Sequence, residues 1–134
     1  MISPQEALIY AMVAAAESDR EIADAEISLI GDVVNHLPIF QRVDRATLTE
    51  MAARCSDMLS ASNGREQVFG LIREALAMPL RDTAYALACD VIAADSRLNR
   101  AEMRILEEIR TQLEVDPAMA RAIEQVAEVR FKAA

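Results

Sequence analysis

The chain has 134 residues and a formal net charge of −8, which fits one domain and excludes the basic footprint of a nucleic-acid binder. Hydrophobic residues make up 53% and aromatics 4%, with three Gly, four Pro and no Trp, the composition of packed helices rather than of a sheet or a disordered segment. The acidic balance disfavours an anionic membrane surface and suits cations or basic partners, or serves solubility alone.

The chain opens with a helix start at Ser3-Pro4-Gln5-Glu6. Ser3 can cap, Pro4 suits the first helical position, and Glu6 can reach back as a capping box. Leu8, Met12 and Ala15 then recur at helical spacing with Ile9 beside them, so one inward face is expected, fading near residues 17–19. A second helix is expected from Asp24 to His36, with Ile27, Ile30, Val33, Val34 and Leu37 inward and Pro38 as its stop. The stretch 38–43 is a connection anchored by Ile39 and Phe40. Asp44 or Thr47 can cap a third helix, Thr47 with Glu50 as a capping box, with Leu48, Met51, Ala52, Cys55 and Leu59 inward.

Ser62-Asn63-Gly64 reads as a loop whose glycine suits positive φ. A fourth helix follows from Arg65 to Ala77, with Val68, Phe69, Ile72 and Leu76 inward, ended by Met78-Pro79. A fifth runs from Leu80 to Ala94 over Ala84, Leu87, Val91 and Ile92. Asn99 opens a sixth, whose inward face is Met103, Leu106, Ile109 and Leu113. Asp116-Pro117 caps a seventh, with Met119, Ala120, Ile123, Val126 and Ala127 inward. No stretch alternates with period two, so no sheet is expected. The seven methionines are read as gap-fillers in the core.

Cys55 and Cys89 are isolated thiols with neither CxxC nor zinc spacing, and read as buried, reduced cysteines. That suits the cytoplasm. The chain opens with no basic, then apolar, then small-residue signal, and no apolar run approaches the roughly 20 residues that span a bilayer.

One motif occurs twice. Glu17–Glu26 reads ESDREIADAE and Ala93–Glu102 reads AADSRLNRAE, 76 positions apart. Each copy holds an Asp, an aliphatic residue three later and a Glu four after that: Asp19, Ile22 and Glu26, then Asp95, Leu98 and Glu102. The copies place helices one and two in register with helices five and six. The expectation is an all-α domain over residues 1–134: about seven helices in one compact bundle, built from two pseudo-symmetric helical hairpins.

AADSRLNRAE resembles the AADGxIxxxE motif of the TerB-like, tellurite-resistance-associated family, and AESDREIADAE resembles it again. ALIYAMVAAAESD and LRDTAYALACDVIAADSRL are also similar to that family, so the resemblance runs from about Ala7 to Leu113. It implies an all-helical fold of about seven helices, clustered acidic residues, and an association with metal binding and stress response. The implied metal ligands are Asp19, Glu26, Asp95 and Glu102. The family's glycine after each Asp is here Arg20 and Ser96.

The residues themselves leave two readings open. Asn99 with Glu102 is a capping box, and Leu98 with Met103, like Ile22 with Ile27, is a hydrophobic staple. A first-turn Glu is favoured by about 0.3–1 kcal/mol without any ligand. Against caps alone, Ala23 stands where the second copy has Asn99. Asp19 and Asp95 fall at helix C-termini, where a carboxylate meets the negative end of the dipole unless turn N–H groups, an arginine or a cation offset it. A hard-oxygen site would take Ca²⁺, Mg²⁺ or Mn²⁺, without the loop spacing of an EF-hand. Glu17, Glu21, Asp24 and Asp90 add negative charge and read as a solvated face.

His36, the single histidine, falls in a helix's last turn and reads as structural. No nucleophile has a base at motif spacing and there is no phosphate loop, so no enzyme is expected. The functional expectation is a TerB-like, stress-associated protein that binds a divalent cation. The alternative is a metal-free interaction module offering an acidic surface to a basic or membrane-bound protein partner. The isolated cysteines offer no chemistry for tellurite itself.

Overall fold

A computed structural model describes residues 1–16, 24–94 and 100–132, and in the helices that border the gaps it leaves aside the side chains of residues 24–26 and 100–101. Among the described residues there are seven α-helices and no strand. They are α1 (Pro4–Ala16), α2 (Asp24–Val34), α3 (Arg45–Leu59), α4 (Gly64–Ala75), α5 (Met78–Ala94), α6 (Arg100–Gln112) and α7 (Pro117–Arg130), with a 3-10 turn at Pro38–Phe40. The helices pack into one all-α body, and none is long and apolar enough to cross a membrane.

α1 is the axis of that body. Every residue from Glu6 to Ala15 is buried, so it has no solvent face. The sequence dictates this: from Ala7 to Ala16 no charged side chain interrupts the helix, and a helix apolar all round must be surrounded. Its alanines let neighbours come close, and α2, α3, α4, α5 and α6 all pack against it. The expectation of a single inward face understated this burial. α5 is the second inner helix, packed on α1, α2, α6 and α7. α2 therefore lies on α5, and α6 on α1, as well as each on its own hairpin partner.

The one charge inside α1 is satisfied. Glu6 does not close a capping box. Its Oε2 accepts from the Tyr10 hydroxyl at 2.5 Å and from Arg54 Nε at 3.1 Å, joining α1 to α3. Burial pushes the Glu6 carboxyl up, but Arg54 and Tyr10 outweigh it and hold it below the ordinary carboxylate value. Ser3 does cap, its Oγ accepting from the Glu6 N–H at 3.1 Å. Asp44 rather than Thr47 caps α3, accepting from the Thr47 N–H at 2.7 Å.

Gly64 is not a positive-φ loop residue. It is the first residue of α4, and no described glycine has positive φ. What it supplies is closeness: a Cβ there would lie 1.8 Å from the Met58 carbonyl oxygen and 2.8 Å from Leu59 Cα. Met78-Pro79 does not merely end α4 but begins α5, since proline is tolerated in a helix's first turn. α2 ends at Val34, leaving His36 exposed in the turn beyond it.

Arg81 ties the lower end of the bundle. Its Nε donates to the Leu76 carbonyl at 3.1 Å and its Nη2 to that of Arg73 at 2.9 Å, both orphan carbonyls at the end of α4. Its Nη1 meets Glu114 at 3.0 Å. Glu114 has φ 57, and the Val115 N–H reaches back to the Arg110 carbonyl at 3.1 Å, so α6 ends in a left-handed Schellman turn made without glycine.

Candidate functional site

Tyr85, Cys89 and Ala93 stand one turn apart on α5, a spacing that puts them in one row along the helix. They form the floor of a groove of about 520 Å³ between α6 and α7. Two side-chain pairs fix the α7 wall: the Tyr85 hydroxyl donates to Glu124 Oε2 at 2.5 Å, and Arg130 Nη1 meets Asp90 Oδ2 at 3.2 Å. Because 85 pairs with 124 and 90 with 130, α5 and α7 run parallel. α6 also packs on α5, and the space between α6 and α7 stays open.

The two walls differ in charge. α7 contributes Glu124, Ala127 and Glu128, and α6 contributes Met103, Arg104, Leu106, Glu107 and Arg110. Leu106 and Ala127 are buried with the floor, whereas Met103 is 61% exposed at the rim. Met103 was expected to face inward; its position one helical step before Arg104 carries it to the mouth of the groove. Arg104, Arg110, Glu107 and Glu128 make no ion pair among the described residues, so the rim's charge is uncommitted. The volume falls within the roughly 300–1,000 Å³ of ligand-sized clefts, and an apolar floor with a few polar groups is their usual lining.

The floor is chemically quiet. Burial pushes the Cys89 thiol up to about 12; the Tyr85 hydrogen bond pulls the other way, and the Glu124 and Asp90 carboxylates add to the rise. Burial, the bond to Glu124 and the neighbouring Cys89 push the Tyr85 hydroxyl up as well. Both groups are neutral near pH 7, so the groove presents an apolar surface rather than a thiolate nucleophile. Beside it, burial raises Asp90 while Arg130 opposes that shift.

Of the four acidic motif residues, only Glu26 and Glu102 are among the described residues. Asp19 and Asp95, with Arg20, Ile22, Ala23, Ser96, Leu98 and Asn99, lie outside the described residues. Glu26 is in the first turn of α2, its side chain likewise outside the description. Glu102 is in the first turn of α6, half-buried and engaged in interactions of its own. Among the described residues no group of three or more His, Cys, Asp or Glu side chains is placed to hold a metal ion. Cys55 and Cys89 are buried and outside any disulfide, as expected.

Sequence periodicity missed the groove because it reports which residues turn inward, and not where two helices fail to meet. The i, i+4 row Tyr85-Cys89-Ala93 was its one legible signal. Met119 and Val126, also expected inward, are 45% and 55% exposed, and of the seven methionines only Met12 is fully buried. The gap-filling reading fails for Met1, Met78, Met103 and Met119, which are all exposed. Comparison with known proteins finds no matching family model, curated protein or solved structure.

Proposed function

We propose that this chain is a non-enzymatic, TerB-like binding module whose recognition surface is the groove between α6 and α7. The observation that carries this reading is the combination of an apolar floor with charged walls, acidic on α7 and mixed but net basic on α6. An apolar peptide segment with a basic group toward Glu128 and an acidic group toward Arg104 and Arg110 complements it. Such a surface discriminates by charge arrangement as well as by burial. The neutral Cys89 and Tyr85 support binding rather than covalent chemistry, and two buried thiols outside any disulfide accord with a cytoplasmic setting. Association with stress response and tellurite resistance rests on the resemblance to the TerB-like family. The test is co-purification from native lysate at low salt with wild type and with the exposed-rim variants Met103→Asp and Arg104→Glu. A specific protein lost with both variants supports the reading; a partner held equally by all three removes the groove from it.

A second reading is favoured by one observation, the reciprocal packing of α2 on α5 and α6 on α1. It accords with the repeat and with two pseudo-symmetric hairpins sharing a core. In that reading Asp19, Glu26, Asp95 and Glu102 bind Ca²⁺, Mg²⁺ or Mn²⁺. Metal-stripped protein should then gain about 2.7 kcal/mol at a cation concentration near 100 times the dissociation constant. The gain should vanish when Asp95 and Glu102 are both alanine; a gain that survives removes them from the site.

A further inference from the structure

Among the described residues seven large hydrophobics are exposed; Met119, Val126 and Val129 lie on α7 and Phe131 is its C-cap, at 45%, 55%, 70% and 37% exposure. Three of them, with the exposed Ala122 between, fall at 119, 122, 126 and 129. That spacing of three, four and three is the seam of a two-helix coiled coil. The seam carries no charge, and its outer flank, Ala118 and Gln125, carries none either, in a chain of which 27% is charged. Shallow hollows along it are lined by Ala122, Val126, Val129 and Arg130, and on the α5 side by Ala86 and Asp90. The helix's other side already packs on α5 through the buried Ala120 and Ala127.

We propose that α7 is a homodimer interface, in which the seam packs antiparallel against α7 of a second copy of this chain. The register is set by the seam. Met119 lies opposite Val129 of the second copy and Ala122 opposite Val126, and the two-fold axis repeats each contact, as an isologous interface requires. Large residues then face small or branched ones, and no layer sets methionine against methionine.

The charges select the same arrangement. In an antiparallel pair, the flanking positions beside each seam meet their own counterparts across the axis. On the α5 side these are Asp116, Ile123 and Arg130. The register above brings Asp116 beside Arg130 of the second copy, Arg130 beside Asp116, and Ile123 beside itself. On the outer flank Gln125 meets Gln125. A parallel pairing would instead set each flank against the other flank of the second copy, Arg130 beside the uncharged Gln125 and Ile123 beside Ala118, and would form neither ion pair. Arg130 is free to take a second carboxylate, because its fork has donors beyond the one given to Asp90. The groove lies on the opposite side of α7, so both copies keep it open.

Sedimentation velocity across a concentration series at about 0.15 M salt tests this, that ionic strength screening the −8 charge of each copy. Wild type should show a reversible monomer–dimer equilibrium. Val126→Glu should weaken it about tenfold or more with the helical circular dichroism unchanged, since the residue is already half-exposed. Mild oxidation reads the register. The Ala122→Cys/Val126→Cys double variant should form a disulfide-linked dimer and Val126→Cys alone should not, with the buried Cys55 and Cys89 silent. A wild type that stays monomeric at every concentration, or a dimer indifferent to Val126→Glu, overturns the proposal. So does cross-linking of Val126→Cys alone, which marks a parallel pair.

Discussion

An alanine at Gly64 places a methyl group 1.8 Å from the Met58 carbonyl oxygen and 2.8 Å from Leu59 Cα. Both obstacles are backbone at the end of α3, so no rotamer change relieves them and the α3–α4 turn must open. Overpacking of this kind costs about 1–3 kcal/mol, and often more where backbone has to move. The better helix propensity of alanine returns less than about 1 kcal/mol, and less still in a first turn. The net loss is about 2 kcal/mol. At about 2.1 cal/mol/K per residue, unfolding of 134 residues carries an entropy of about 280 cal/mol/K, so Tm should fall by about 7 °C. Gly70 is the control, because it lies in the middle of the same helix and its nearest neighbour to a new Cβ is a guanidinium nitrogen of Arg73, 4.0 Å away. Gly70→Ala should raise stability by about 0.5–1 kcal/mol through reduced chain entropy. Thermal unfolding by circular dichroism reads both. If Gly64→Ala matches Gly70→Ala in sign, the close approach of α3 to α4 is wrong.

The Glu6 network makes stability depend on acid. The folded carboxyl sits below its ordinary value of 4.5, so its contribution is complete above that pH and is lost as pH falls through the folded value. Glu6→Gln should cost about 1 kcal/mol at pH 7, a figure discounted because Arg54 is half-exposed, and should flatten the acid limb of a Tm–pH profile. An unchanged acid limb would remove Glu6 as its source. Arg81→Met keeps the apolar stem but strands the Leu76 and Arg73 carbonyls; urea unfolding should show a loss of about 1–3 kcal/mol, and no loss would mean those carbonyls find other donors. At pH 8 the Cys89 thiolate fraction is about a thousandfold or more below that of a free thiol, so a thiol reagent should count two reactive cysteines only after denaturation. Rapid labelling of folded protein would place Cys89 at the surface.

Helix number and chain order were legible because the punctuation is local. Ser3, Asp44 and Asp116 cap through their own side chains, and proline marks the starts of α1 and α7. Depth was less legible. α1 is apolar on all sides, so its periodicity could not show that it is enclosed, and Met119 and Val126 fit an inward stripe that the structure turns outward. An apolar face looks alike in sequence whether its own core covers it or another molecule does. Gly64 was readable as special but not as a contact point, since the atom it avoids belongs to another helix. The left-handed turn at Glu114 has no sequence mark, because glycine is absent from it. The groove is a relation among three helices, and only its α5 row is written locally. The repeated acidic motif was the clearest feature of the sequence, but Asp19 and Asp95 lie outside the described residues.

The claim that the groove between α6 and α7 receives a protein segment is tested most directly by site-specific photo-cross-linking in cells. A benzophenone amino acid replaces Met103 at the groove rim, or Ala53, exposed on α3, as the comparison. The account predicts one discrete adduct from position 103, none from position 53, and loss of the adduct when Arg104→Glu is added. No adduct from position 103, or the same adduct from both positions, would contradict it.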